Sequence, residues 1–129
     1  MNILVLASGF APQYRVLRCA AATGAAVYIL GDKRAVWLAI SRYCRKFVDW
    51  QVGWDVAAPS VVAALNEIIG EHSIDCVVPS DALTTRFLSL VRKDLQCRTF
   101  PVPDTHAFDQ LNTKDAFANL CARLAIPVS

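Results

Sequence analysis

The chain lacks most of the patterns that mark common sites. Its cysteines, Cys19, Cys44, Cys76, Cys97 and Cys121, are five in number; they form no CxxC pair and have no histidine at zinc-ligand spacing. That argues against a structural zinc site and leaves reduced, mostly buried thiols as the expectation. No apolar run is long enough to span a membrane, and the opening run, residues 3–7, lacks the basic flank of a signal peptide, so a cytoplasmic location is expected. Thirteen basic against eleven acidic side chains leave a net charge of +2, too small and too scattered to select nucleic acid or a membrane as partner. The first loop, Ser8-Gly9-Phe10-Ala11-Pro12-Gln13, holds one glycine where a dinucleotide fingerprint needs three, which disfavours NAD. No acidic residue follows the first strand to hold magnesium, so Asp81 is not expected to be a phosphorylation site. His72 and His106 stand far apart without a triad around either and read as solvated or capping residues.

What is present is core material in an alternating order. At 129 residues and 55% hydrophobic content the chain suits one well-buried domain. Residues 3–7 read as a central parallel strand, and a helix after Pro12 carries Val16, Leu17, Ala20 and Ala21 to a stop at Thr23-Gly24. A second strand spans residues 25–30, completing a right-handed βαβ unit. Trp37, Trp50 and Trp54 lie in a segment without a clean period, read as a short helix followed by a strand near residues 47–50, with the three rings packed in the core. Pro59 opens a helix with Val62, Leu65, Ile68 and Ile69 on one face, ending near Gly70, and residues 75–78 form the next strand. Asp81 can cap a helix through Leu83, Phe87, Leu88 and Val91. A short strand is expected within residues 97–102, and Asp104 can cap one further turn. The last helix, residues 114–124, places Phe117, Leu120, Cys121 and Leu124 on one side before an extended tail. The fold class is therefore α/β: a Rossmann-like three-layer domain with a mostly parallel sheet of four or five strands and helices on both faces.

In such a sheet ligands bind beyond the carboxyl ends of the strands, where the strand order reverses. That rule nominates Ser8, Gly9 and Phe10, Asp32 after Gly31, and Pro79, Ser80 and Asp81 as substrate-binding residues. Taken singly, Gly9 and Gly31 read as turn residues, Asp32 as turn chemistry and Asp81 as a helix cap; together the three loops point to a site.

Taken in order, three features resemble the pre-ATP-grasp domain of the ATP-grasp superfamily, in its carbamoyl-phosphate-synthase-like and amino-acid-ligase branches. They are the opening strand Asn2-Ile3-Leu4-Val5-Leu6, the triplet Ser41-Arg42-Tyr43, and Asp75-Cys76-Val77-Val78-Pro79-Ser80-Asp81. The segment Leu111-Asn112-Thr113-Lys114-Asp115-Ala116-Phe117, followed by Leu120, Leu124 and Ile126-Pro127-Val128, is similar to the family's lysine-bearing helix. Thr113 stands where the family often has Asp, and Ser129 where it has a closing proline. The resemblance implies a pre-ATP-grasp domain over residues 1–108, with residues 109–129 a helix and tail leading to an ATP-grasp domain outside this chain.

The resemblance further implies that Lys114 contacts the ATP phosphates. Read alone, Lys114 is a solvated cation that the helix dipole disfavours. The parent protein would use ATP and magnesium to activate a carboxylate as an acyl phosphate for attack by an amine. The chain by itself would be non-catalytic, would hold no metal and would bind no cofactor tightly. Its partners would be the downstream ATP-grasp domains and a small carboxylate, with a homodimer available through exposed apolar surface. The alternative is a stand-alone nucleotide- or metabolite-binding module without catalysis.

Overall fold

The computed structural model describes residues 1–128, so Ser129, the end of the expected tail, lies outside the described residues. Strands β1 (Asn2–Ala7), β2 (Ala26–Gly31), β3 (Cys44–Asp49), β4 (Cys76–Pro79) and β5 (Arg98–Thr99) form one sheet in the order β3-β2-β1-β4-β5. All four pairings are parallel, and β1 lies in the middle, with Leu4 beside both Tyr28 and Val77. The chain steps outward from β1 to β3, then crosses back to β4, which puts the reversal of strand order between β1 and β4.

Alternation along β1 divides the core in two. Ile3, Val5 and Ala7 face one side, where helix α1 (Ala11–Ala22) contributes Leu17 and a 3-10 segment (Lys33–Ile40) contributes Ala35 and Leu38. Leu4 and Leu6 face the other, against Val61, Leu65 and Ile69 of α2 (Pro59–Glu71) and Phe87, Leu88 and Val91 of α3 (Ala82–Val91). Helices thus cover both faces, as the sequence predicts for a Rossmann-like α/β domain.

Several details depart from the sequence-based expectations. The buried line of α2 is Val61, Leu65 and Ile69 at strict four-residue spacing, with Val62 at its edge; the helix runs through Gly70, and the chain reverses at Ser73, whose φ of 50° is left-handed. The strand expected within residues 97–102 shrinks to Arg98–Thr99, although Phe100 N–H still donates to Val77 O at 2.8 Å. The single turn expected after Asp104 is a full helix, α4 (Thr105–Asn112). On α5 (Lys114–Arg123) Cys121 is buried, but Phe117 beside it and Leu124 just past the helix are exposed. The thiols are free, yet only Cys121 is buried and Cys19 is exposed.

Trp50 and Trp54 lie in the core as expected, while Trp37 is 64% exposed, because Ala35 and Leu38 take the inward positions of the 3-10 segment. Gly31 ends β2 without a left-handed φ. A Cβ there would come within 2.9 Å of both Ala35 Cβ and the Phe47 ring, so the glycine serves close packing and not a turn.

Candidate functional site

The loops nominated from the sequence meet at the carboxyl edge, and Asp81 is the residue that joins them. Its Oδ2 accepts from Ser8 N at 3.1 Å, Ser8 Oγ at 2.6 Å and Gln13 Nε2 at 2.7 Å. Its Oδ1 accepts from Thr84 N at 2.8 Å and Thr84 Oγ1 at 3.0 Å, and the Asp81 N–H donates in return to Thr84 Oγ1 at 3.2 Å, closing a capping box at the start of α3. Asp81 is therefore more than a helix cap: one carboxylate ties the end of β4 to the loop after β1, across the point where strand order reverses. Ser80 reinforces the tie by donating from Oγ to Leu6 O, and Pro79 pairs in register with Leu6.

Burial pushes the Asp81 carboxyl pKa up, but the bonds from Ser8 and Gln13, with the Thr84 and Ser8 amides, outweigh it and hold it below the ordinary aspartate value. An ionised carboxylate with five donors around it has little coordinating capacity left. Among the described residues no three His, Cys, Asp or Glu side chains cluster as metal ligands.

Asp32 caps the 3-10 segment. Oδ1 accepts from Arg34 N at 2.9 Å, and Oδ2 accepts from Arg34 Nη2 at 2.7 Å and from Trp54 Nε1 at 3.3 Å. Burial raises its pKa, and the Arg34 guanidinium and amide bring it below the usual value. The same Arg34 lines a cleft of about 290 Å³ with Gly53, Trp54, Asp55 and Leu83, so the loops after β2 and β3 and the start of α3 share one opening.

The loop after β1 offers backbone donors. α1 begins at Phe10 without a side-chain cap, and Pro12 in its first turn has no N–H. Ser8 N–H is taken by Asp81; the Gly9, Phe10 and Ala11 amides have no protein partner among the described residues. Phe10 itself turns away, stacking on Tyr14 with centroids 5.8 Å apart. Lys114 is exposed at the start of α5, in no hydrogen bond or ion pair among the described residues. The structure thus links Ser8 to Asp81 directly, ties Ser80 to Leu6 and Thr84 beside them, holds Asp32 through Arg34 and Trp54, and leaves Lys114 outside this network. Gln13, Arg34, Trp54 and Thr84 were missed from sequence; only the Asp81-to-Thr84 spacing of a capping box was a local signal.

No protein-family model and no curated protein sequence matches the chain. Solved structures do. The fold is similar to the biotin carboxylase domain of a single-chain bacterial carboxylase, with a TM-score of 0.63 and 20% identity over 98% of this chain and 29% of that one. A multifunctional pyruvate carboxylase from Rhizobium etli matches with a TM-score of 0.63 and 18% identity, over 100% of this chain and 13% of that one. A single-chain, multi-domain long-chain acyl-CoA carboxylase matches with a TM-score of 0.65 and 16% identity, over 99% of this chain and 13% of that one. At these identities the likeness is one of fold: the Rossmann-like arrangement recurs within multidomain carboxylases, and the chain spans less than a third of the length of each. No helix among the described residues is long and apolar enough to cross a membrane.

Proposed function

We propose that the chain is the N-terminal, substrate-binding and structural module of an ATP-dependent ligase that activates a carboxylate as an acyl phosphate. The observation that carries this reading is the agreement in fold with three carboxylases over essentially the whole of this chain and a small fraction of theirs. The Lys114 segment supports it independently, because its resemblance to the lysine-bearing helix of ATP-grasp ligases comes from sequence alone. So does the exposure of Leu111, Phe117, Leu124, Ile126 and Val128, an apolar surface that further domains of the same polypeptide would cover.

In this reading the free amides of Gly9, Phe10 and Ala11, at the uncapped end of α1, receive a substrate carboxylate. Ser8, Asp81, Ser80 and Pro79 hold that loop in place, and Asp32 positions Arg34 at the rim. ATP and magnesium would be bound chiefly by the downstream domains, with Lys114 reaching the phosphates as a flexible cation.

The test is made on the complete protein. The reading frame should continue past Ser129 for about 200 residues or more, enough for further domains. ATP-dependent trapping of an acyl phosphate by hydroxylamine should then appear with a carboxylate from a substrate panel. Lys114→Ala should lower kcat/KM for ATP by about tenfold or more while the protein stays folded, as expected for loss of a charge-assisted phosphate contact. ATP kinetics unchanged in that variant would remove Lys114 from the site, and a native stop after Ser129 would defeat the ligase reading for this chain.

A further inference from the structure

The Ser41-Arg42-Tyr43 triplet has no part in the site above, and it borders a second, roomier cleft than the one at Arg34. About 740 Å³ in volume, this cleft lies on the α1 side of the sheet and is lined by Phe10, Tyr14, Trp37, Ile40 and the triplet itself. We propose that it is a binding site for a small molecule carrying a flat aromatic ring and an anionic group.

The ring preference follows from what the cleft presents. Trp37 is 64% exposed and Ile40 79%, so neither is needed to fill the core. Phe10 and Tyr14 stack nearly parallel, and Tyr14 meets Tyr43 at 6.5 Å. Aromatic faces gathered around a concavity of this size, with few polar groups, match the composition of small-molecule sites better than that of a flat protein interface.

The anion preference follows from the cations. Residues 1–48 hold seven basic side chains and one acidic, Asp32, and residues 49–129 hold six basic and ten acidic, so the small net charge hides a basic first part of the chain. Asp32 is already paired with Arg34. Arg42 donates to Tyr43 Oη at 2.8 Å and lies 4.9 Å from the ring centroid, and Arg18 lies 5.9 Å from the Tyr14 ring centroid. Neither arginine has a carboxylate partner among the described residues. The Arg42 guanidinium is bonded to the Tyr43 hydroxyl, whose pKa is lowered first by that hydrogen bond and then by the Arg42 charge, with Arg18 contributing. An anion at the rim would meet the Arg42 guanidinium while its ring lay against Trp37 and Phe10, and Arg18, behind Tyr14, adds positive charge nearby.

The test is independent of the ligase reading, because it reads binding and not ATP turnover. With the 15N-labelled protein, AMP and indole-3-acetate are titrated separately, with adenosine and inorganic phosphate as controls. The Trp37 indole N–H signal should shift saturably with at least one of the two anions, with a Kd of about 1 mM or tighter. The signals of Trp50, bonded to Gly53 O, and of Trp54, bonded to Asp32, should stay in place. Response to AMP alone assigns a nucleotide, and response to indole-3-acetate alone an aromatic acid. Arg42→Gln should weaken binding about tenfold or more with the spectrum otherwise intact. The proposal is overturned if neither anion moves Trp37, if adenosine or phosphate alone binds as tightly, or if Arg42→Gln binds unchanged. It is equally overturned if the Trp37 signal changes with protein concentration alone, which would mean that a second copy of the chain fills the cleft.

Discussion

The two sides of the sheet are built from different materials. On the α2 and α3 side, large rings are inside: Trp50, Trp54 and Phe87 are buried, with Phe87 edge-on to both indoles at 6.3 and 5.3 Å. On the α1 side the centre is aliphatic, made by Ile3, Val5, Leu17, Val27, Ile29 and Leu38 together with Ala7 and Ala35. The absence of a side chain at Gly31 lets Ala35 of the 3-10 segment and the Phe47 ring both lie close to the sheet, and the fully buried positions of this layer are all aliphatic. Trp37 and Phe10 are outside, at the mouth of a cleft. The same residue types serve stability on one side and recognition on the other.

The largest expected effect lies on the ring-filled side. Phe87→Ala removes a fully buried ring shared by two tryptophans and should cost about 3–5 kcal/mol in denaturant unfolding. A loss below about 1 kcal/mol would mean that the two indoles collapse into the space, and the contrast between the sides would weaken. On the other side, Gly31→Ala tests the close approach directly. Its new methyl meets Ala35 and Phe47 at 2.9 Å, so about 1–3 kcal/mol of overpacking is expected; a neutral result would show that Phe47, on the half-exposed strand β3, moves aside freely.

Asp81→Asn acts between the two sides, at the seam of β1 and β4. Asparagine keeps the shape but presents an amide to donors that now meet a carboxylate, and a loss of about 1–3 kcal/mol at neutral pH follows. The pH dependence has a definite sign. Because the folded carboxyl is held below its ordinary value, its contribution is complete above about pH 5 and is lost as pH falls through about 4 toward the folded pKa. Wild-type protein and Asp81→Asn should therefore converge in stability under acid. A constant difference between them from pH 7 to pH 3 would show that the carboxylate charge is not what holds Ser8 and Gln13.

The sheet was legible in sequence because β1, β2 and β4 are unbroken apolar runs bounded by loop residues, and Pro59 marks the start of α2 without ambiguity. Other features were hidden for physical reasons. Ser8 and Gln13 lie 73 and 68 residues from Asp81, so no local pattern could announce that carboxylate's second role. Trp37 was assigned inward because neither a 3.6-residue nor a two-residue period describes a 3-10 segment, whose repeat is near three. The last helix puts Phe117, Leu120 and Cys121 on one side, but of these only Cys121 is buried, because period alone does not say what a face meets.

Trp37→Ala is expected to have the smallest effect on stability and is the sharpest test of the contrast between the sides. The indole is 64% exposed, so its removal should change unfolding by no more than about 0.5 kcal/mol, as for an ordinary surface position. Set beside Phe87→Ala, this gives a several-fold difference between two aromatic truncations in one small domain, measured by the same denaturant melt. A cost for Trp37→Ala comparable with that of Phe87→Ala would place the ring among the supports of the α1 side, and the reason for regarding the cleft as a surface free to bind would be lost.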